Sequence, residues 1–312
     1  MKIGIKNIQY YIPLKKINNI LVSKKFGLNK EFLKNKIGFT KLSKIDDKLK
    51  TSDLAIKSMN KTFAKFPNLK NKLDCVILIT QSPDLNIPHT SAIIHDKLKL
   101  KKNCTVFDVS LGCSGYIHGL SIIKSFMLMN KFKNGLLVTA DPYSKIIDKK
   151  DKDTVMIFGD ASSCTLISNE NPIYEIKNFD FGTESSSNSA LMIDSRGKLK
   201  MNGREIYNFV INNVPNSVLN LLKKEKKKLN QIDKFIFHQG SKFVLDKLKI
   251  KLNIEDNKLS YDSKNYGNTV SSSIPIILSN KKFLKSKYII CSGFGVGLSW
   301  ATTLLKKNNE KY

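Results

Sequence analysis

The sequence has very little arginine. Only Arg196 and Arg204 are arginine among its 53 basic residues, and all the others are lysine. Proteins that read nucleic acid usually depend on arginine, whose guanidinium makes paired contacts to phosphate and guanine. The shortage of arginine therefore argues against a nucleic-acid partner, although the formal net charge is +27.

The lysine excess itself has two explanations. Abundant lysine, asparagine and isoleucine is typical of a mutational bias in the coding DNA, which raises the charge without any partner. The alternative is an acidic partner that is attracted to one lysine-rich face. The lysines are scattered along the chain, with one denser run at residues 223–228.

Cysteines are few, and long apolar runs are absent. The five cysteines are an odd number without regular spacing, which argues against a disulfide framework. No apolar stretch approaches the roughly 18 to 20 residues of a membrane span, and the N-terminus has no apolar signal-peptide core. We therefore expect a cytoplasmic protein without membrane insertion. Cys75, Cys104, Cys164 and Cys291 lie in strand-like runs and are expected to be buried, whereas Cys113 does not fit that description.

Short apolar runs alternate with stretches of helical periodicity, which predicts the α/β class. Runs that are apolar over four to six residues are typical of buried strands in a parallel sheet. Strands are predicted at residues 75–80, 105–109, 135–139, 163–167, 234–238, 288–291 and 298–305. Helices are predicted at residues 52–66, 90–98, 116–130, 207–224 and 242–252.

The two halves of the chain resemble each other weakly. A glycine-containing turn at residues 158–162 precedes one predicted strand, and a second at residues 293–297 precedes another. This internal repeat predicts two related α/β halves, residues 1–169 and 170–312. The polar, serine-rich stretch at residues 183–200 is predicted to be a surface loop.

Cys113 lies where an apolar strand ends, small residues form a turn and a helix begins at about Ser114. A cysteine at this position faces the positive end of the helix dipole, which favours a thiolate nucleophile. A buried structural cysteine is the alternative.

His238 and Asn268 are two further candidates. His238 follows an apolar strand, at the end of which α/β proteins build their sites, although a structural histidine fits the same context. Asn268 lies in a Gly-Asn pair that by itself is commonly a turn. The glycines at residues 293–297 could cradle a phosphate or present a backbone N–H to an oxyanion.

Taken together, these motifs resemble the β-ketoacyl-[acyl carrier protein] synthase III family of thiolase-fold condensing enzymes. The cysteine turn, residues 157–161, His238-Gln239, residues 267–269 and residues 293–297 with Trp300 occur in the family's order and spacing. The resemblance implies a thiolase-like fold with a layered αβαβα core. Its N-terminal half would carry Cys113, and its C-terminal half would carry His238 and Asn268.

The resemblance also implies a mechanism. Cys113 would attack an acyl thioester, and the backbone N–H groups of Cys113 and Val296 would bind the oxyanion. Malonyl-[acyl carrier protein] would then lose carbon dioxide, and His238 Nε2 and the Asn268 amide would hold the enolate oxygen. No metal or redox cofactor is needed, because these two donors stabilise the enolate directly. An acyltransferase of the same fold, which moves an acyl group to an alcohol or amine without condensation, is the alternative.

The predicted entrance departs from the family pattern. Phe32 and Lys152 align with the tryptophan and arginine that hold the adenine of coenzyme A, and a lysine and a smaller ring stack less well. Lys36 replaces another arginine but can still meet phosphate. Phe243 stands at the position of the arginine after the catalytic histidine, with Lys242 adjacent. Both coenzyme A and acyl carrier protein therefore remain candidate carriers of the primer.

Two further expectations concern partners. Ile87 aligns with a residue that lines the acyl pocket from the second subunit of a homodimer, and it suggests a short or modest acyl chain, although simple loop packing also explains it. The lysines on the helix after His238 are candidates for docking the acidic acyl carrier protein, although a solvated helix face explains them too. They are Lys242, Lys247, Lys249 and Lys251. The acyl group and the pathway stay open.

Overall fold

The structure is a computed structural model that describes residues 2–308. Its strands are β1 (Gly4–Tyr11), β2 (Lys16–Asn18), β3 (Lys41–Ser43), β4 (Cys75–Ile79), β5 (Thr105–Val109), β6 (Asn134–Ala140), β7 (Ser162–Ser168), β8 (Tyr174–Thr183), β9 (Leu191–Ile193), β10 (Leu199–Met201), β11 (Lys234–Phe237), β12 (Tyr288–Gly295) and β13 (Ser299–Lys307). Its α-helices are α1 (Asn19–Lys25), α2 (Lys30–Phe32), α3 (Thr51–Lys65), α4 (Thr90–Lys97), α5 (Gly115–Met129), α6 (Gly203–Lys224), α7 (Lys242–Lys251) and α8 (Ser273–Leu278).

Nine strands form one mixed sheet in the order β11-β12-β13-β8-β1-β7-β6-β4-β5. In this order, one continuous block of strands contains β1, β7, β6, β4 and β5, and the other contains β11, β12, β13 and β8. The strands of the two blocks pair where Gly4 and Ile5 of β1 lie beside β8. The change of block falls between Ser168 and Tyr174, next to the predicted division at residues 169 and 170, and the division into two halves stays a prediction.

Some helices pack on one block of strands, and others lie between the two blocks. Helices α3 and α4 pack on strands of the first block, and α6 packs on strands of the second, with α7 against α6. Helices α5 and α8 contact strands of both blocks. Tyr116, Ile117, Leu120 and Ile123 of α5 are fully buried, as expected of a helix enclosed between two layers. The predicted α/β class with an αβαβα core is confirmed.

The prediction of a parallel sheet was wrong for part of the chain. Among the named strands within residues 2–308, only β4–β5, β4–β6 and β11–β12 pair in parallel, whereas β7 and β13 pair antiparallel with the strands that precede them. The reason is the connection. A parallel pair needs a crossover, usually a helix, but a short turn joins β12 to β13, and no α-helix intervenes between β6 and β7.

The prediction of a surface loop at residues 183–200 was also wrong. This stretch contains a 3₁₀ turn at residues 185–190 and the hairpin strand β9, whose partner β10 begins at Leu199. Ala190, Leu191 and Leu199 are buried. These few apolar residues decide the packing, whereas the surrounding serines dominate the composition.

All five cysteines are free and buried. Cys113 is thus as inaccessible as the other four, and only its position beside a cavity, described below, distinguishes it. Within residues 2–308, no helix combines the length and the apolar character that a membrane crossing requires.

Candidate active site

A cavity of about 560 Å³ brings together the three residues that the sequence singles out, Cys113, His238 and Asn268. Cys113 lies just before α5, His238 directly follows β11, and Asn268 precedes a 3₁₀ turn at Val270–Ser272. The residues reach the cavity from opposite halves of the chain. A parallel bridge between Phe158 and Asn268 joins those halves beside it.

The Cys113 thiol is enclosed by groups that act on its acidity in opposite directions. Burial, and then the nearby Asp141 carboxyl, raise the pKa of the thiol to about 12. Hydrogen bonds from the backbone N–H groups of Cys113 and Val296 lower it. The expectation that the start of α5 makes this cysteine a thiolate is therefore opposed by burial, which penalises the charged form. Both N–H groups are thus directed at the sulfur to which an acyl group would be attached.

Glycine allows this close approach of β12. A Cβ atom at Gly295 would lie 2.7 Å from Cys113 Cβ and 3.0 Å from its Sγ, and one at Gly293 would lie 2.7 Å from the Cys113 carbonyl oxygen. A side chain at either position would push the strand away from the cysteine. The small residues therefore place the Val296 N–H at the sulfur.

His238 is buried and neutral. Burial lowers the pKa of its imidazole to about 3, and a hydrogen bond with the Val270 backbone opposes that shift only partly. Its Nδ1 forms a 2.8 Å hydrogen bond with Ser273 Oγ, and its ring packs edge-on against Phe294 with centroids 5.6 Å apart. The Ser273 hydroxyl can donate to Nδ1, and in that tautomer Nε2 carries the ring hydrogen.

The side chain of Asn268 is oriented by its own loop. Its Oδ1 accepts a 2.9 Å hydrogen bond from the Val270 N–H, which leaves the amide nitrogen as the group that can donate to a molecule in the cavity. Val270 has φ of 52°, and it is the only β-branched residue with positive φ in the described part of the chain. This conformation costs about 1–3 kcal/mol and occurs mainly at functional sites.

Of the five predicted substrate-binding residues, only Lys36 lines the cavity. Lys242 instead forms an ion pair with Asp246, at 2.5 Å. Phe32 is 40% exposed, Ile87 is 88% exposed, and neither lines the cavity. Lys152 is also exposed and lies outside the cavity lining. The alignment of sequence positions alone did not place these side chains.

Other residues form the rim of the cavity. Lys36 Nζ lies 3.8 Å from the ring centroid of Phe243, and Lys247 Nζ lies 5.5 Å from it. Arg204 and Tyr207, which sequence reasoning missed, line the cavity one turn apart near the start of α6. Their spacing on a helix, and the rarity of arginine in this chain, were the available signals.

Comparison with known proteins places the chain among condensing enzymes. A family model described as 3-oxoacyl-[acyl-carrier-protein (ACP)] synthase III matches residues 107–185, and the model of that family's C-terminal part matches residues 222–307. Together they match more than half of the chain.

Individual relatives cover nearly its whole length. The β-ketoacyl-[acyl-carrier-protein] synthase III of Oceanobacillus iheyensis is 27% identical over 98% of this chain and 99% of its own. The enzyme of the same name from Staphylococcus aureus is 29% identical, with the same coverage. The solved structure of a 3-oxoacyl-(acyl-carrier protein) synthase from Burkholderia xenovorans is 27% identical, covers 99% of this chain and 95% of its own, and superposes with a TM-score of 0.92.

The fold and the full-length relatives define a thiolase-like acyltransferase. Within that class, the chain belongs to the 3-oxoacyl-[acyl carrier protein] synthase III family.

Proposed function

We propose that this protein condenses an acyl thioester primer with malonyl-[acyl carrier protein], with loss of carbon dioxide, in fatty-acid or specialised acyl-chain synthesis. The observation that carries the proposal is the single cavity that Cys113, His238 and Asn268 line. The nucleophile is Cys113, with the backbone N–H groups of Cys113 and Val296 beside it. The side-chain donors are His238 and Asn268, from the C-terminal half of the chain.

In the first step the Cys113 sulfur attacks the carbonyl carbon of the primer thioester. The N–H groups of Cys113 and Val296 stabilise the oxyanion, since they already point at the sulfur. The carbon–sulfur bond to the carrier breaks, and the proton of the buried thiol leaves on the departing carrier thiol. The start of α5 adds its dipole to this stabilisation.

In the second step the malonyl group loses carbon dioxide. The bond to its carboxylate carbon breaks, and the electron pair forms an enolate whose oxygen accepts hydrogen bonds from His238 Nε2 and the Asn268 amide. Neutral His238 suits this role, because a neutral imidazole donates without giving up its proton to the enolate. The enolate carbon then attacks the acyl-Cys113 carbonyl, the carbon–sulfur bond breaks, and the released thiolate takes up one proton from solvent. The named side chains and backbone groups supply every hydrogen-bond donor that the written steps use.

The orientation of Asn268 favours condensation over plain acyl transfer. Transfer to an alcohol or amine forms no enolate, so it gives no task to an amide whose oxygen is tied to Val270 and whose nitrogen is left to donate. Condensation requires that donor.

The rim of the cavity indicates how carriers bind. Lys36, Lys247 and Arg204 supply positive charge around Phe243 and Tyr207, which suits the phosphate of a phosphopantetheine arm. Phe32 and Lys152 lie outside the cavity lining, so an adenine clamp made by them finds no support. The phosphopantetheine arm is common to coenzyme A and acyl carrier protein, so both stay candidate carriers of the primer.

Three further proposals follow from the family and the surface. Lys242, Lys247, Lys249 and Lys251 on α7 would dock acyl carrier protein through its acidic surface.

A homodimer would form with β5 at the contact, because β5 is an edge strand of the sheet and leads directly to the Cys113 turn. Exposed Ile87 would then reach the partner's acyl pocket. A cytoplasmic location agrees with five free cysteines.

The test supplies the purified protein with acetyl-coenzyme A, acyl carrier protein thioesters and malonyl-[acyl carrier protein]. Intact mass shows which donor acylates the protein, and gas analysis follows carbon dioxide. The proposal expects one acyl group per chain, absent from Cys113→Ala, and carbon dioxide release. Acylation that persists in Cys113→Ala, or acylation without carbon dioxide release, would contradict it.

A further inference from the structure

Asp141 is a buried carboxyl group for which the proposed mechanism has no task. It directly follows β6, at the end of the sheet where Cys113 lies, and its side chain is fully enclosed. Its Oδ1 accepts hydrogen bonds from the Gln81 N–H at 2.8 Å and from Thr80 Oγ1 at 3.3 Å. These bonds fix it to the end of β4.

The same carboxyl group holds the loop from the other half of the chain. Its Oδ2 accepts a hydrogen bond from Ser271 Oγ, and the carboxyl also accepts one from the Ser271 N–H. Ser271 directly follows Val270, the residue with positive φ. Ser271 belongs to the loop that carries Asn268, and Asp141 lies outside that loop. Asp141 therefore holds in place the residue next to Val270, whose backbone is strained.

Val270 links the Asp141–Ser271 hydrogen bonds to the two side-chain donors, Asn268 and His238. Its N–H holds Asn268 Oδ1, and its backbone also hydrogen-bonds His238. A shift of Ser271 would therefore turn the Val270 peptide and change the direction of both donors together. A β-branched residue leaves the left-handed region readily unless its neighbours hold it there.

Asp141 also acts on the nucleophile, but in the opposite sense. Its charge raises the pKa of the Cys113 thiol, and the titratable groups that face it are Cys113 and Tyr143. Removing the carboxylate should therefore lower the pKa of the Cys113 thiol. It should also loosen the loop that carries Asn268 and Val270.

We propose that Asp141 is a positioning residue for decarboxylation: by holding Ser271 and the Val270 peptide, it aims Asn268 and His238 at the enolate oxygen. The inference rests on the proposed function, because it divides the two steps of that reaction between different parts of the site.

Asp141→Asn is the main test, because it keeps the size of the side chain and removes the charge and one acceptor. We expect carbon dioxide release from malonyl-[acyl carrier protein] to fall about 10- to 100-fold, the effect of losing a charge-assisted hydrogen bond. Acylation of Cys113, followed by intact mass in a single turnover, should not slow. The thiol pKa, read from the pH profile of iodoacetamide alkylation, should fall.

Two variants complete the design. Ser271→Ala removes the Oγ hydrogen bond to Asp141 but keeps the N–H bond, and it alters no charge. It should therefore slow carbon dioxide release by a smaller factor than Asp141→Asn does and leave the thiol pKa unchanged. Asp74→Asn removes a carboxyl that accepts the Lys133 and Asn134 N–H groups at the opposite end of β6, so it should change neither step. If Asp141→Asn does not fold, Ser271→Ala carries the test alone.

The outcomes separate the alternatives. Equal losses of acylation and carbon dioxide release in Asp141→Asn, or in Ser271→Ala, would overturn the positioning role and indicate general support of the fold. An unshifted thiol pKa in Asp141→Asn would overturn the effect on Cys113. Wild-type protein that is acylated yet releases no carbon dioxide would instead overturn the proposed function, and this inference with it.

Discussion

The amide of Asn268 is the part of the site whose role can be isolated most cleanly. Asn268→Ala removes the donor to the enolate, and loss of one such donor typically lowers a rate by about 10²- to 10³-fold. The acylation step uses the N–H groups of Cys113 and Val296, which this change leaves in place. We therefore expect carbon dioxide release to fall by that factor and acylation to change by less than about threefold.

Asn268→Ala has one side effect that the structure reveals. It leaves the Val270 N–H without its acceptor, at a cost of about 1–3 kcal/mol in the free energy of unfolding. Asn268→Asp is the matched variant, because its carboxylate still accepts that bond but, once ionised, has no N–H to donate. Both variants should lose decarboxylation at pH 8. Parallel losses of acylation, or wild-type carbon dioxide release by Asn268→Asp, would refute the donor role.

The remaining predictions concern the nucleophile, the histidine and the rim. Gly295→Ala should slow acylation at least tenfold in intact-mass time courses, because its Cβ would lie 3.0 Å from Cys113 Sγ; an unchanged rate would mean that β12 shifts freely. His238 stays neutral when folded while its unfolded form titrates near 6.5, so stability should fall as pH drops from about 6.5 toward 3. Urea unfolding should show about 2 kcal/mol of loss by pH 5, largely absent in His238→Gln. Lys247→Ala should raise KM for acyl carrier protein substrates with little change in kcat, and added salt should raise the wild-type KM; a salt-independent KM would remove electrostatic docking.

The three residues that meet at the cavity could be singled out from the sequence, because local motifs mark them. Cys113 follows a strand and small residues, His238 ends an apolar strand, and Asn268 follows a glycine, so each is visible without any tertiary contact. The resemblance then implied that they meet, and the cavity contains all three.

The sequence could not specify which residues line the entrance to the cavity, and the reason is physical. Whether Phe32 or Lys152 faces the cavity depends on how exposed loop segments pack, which sequence alignment does not specify. The rim residues Arg204 and Tyr207 belong instead to the first turns of α6, and the preceding hairpin, predicted as a loop, carries Leu191 into the cavity wall.

Asp141 shows a second limit. When an aspartate follows an apolar strand, the sequence does not show whether its carboxyl is exposed in a surface turn or buried among several hydrogen-bond donors. Its importance comes from bonds to residues 60 and 130 positions away, Gln81 and Ser271. The direction of β7 and β13 was missed for a related reason, since strand pairing depends on connections rather than on apolar content.

The central claim is that acyl-Cys113 undergoes decarboxylative condensation. The most direct measurement supplies acylated protein with malonyl-[acyl carrier protein] labelled with ¹³C at the free carboxylate, and follows labelled carbon dioxide together with the mass of the carrier protein. We expect one labelled carbon dioxide for each β-ketoacyl-[acyl carrier protein] formed, as the acyl group leaves Cys113. Loss of the acyl group from Cys113 with the label retained on malonyl-[acyl carrier protein] would contradict it.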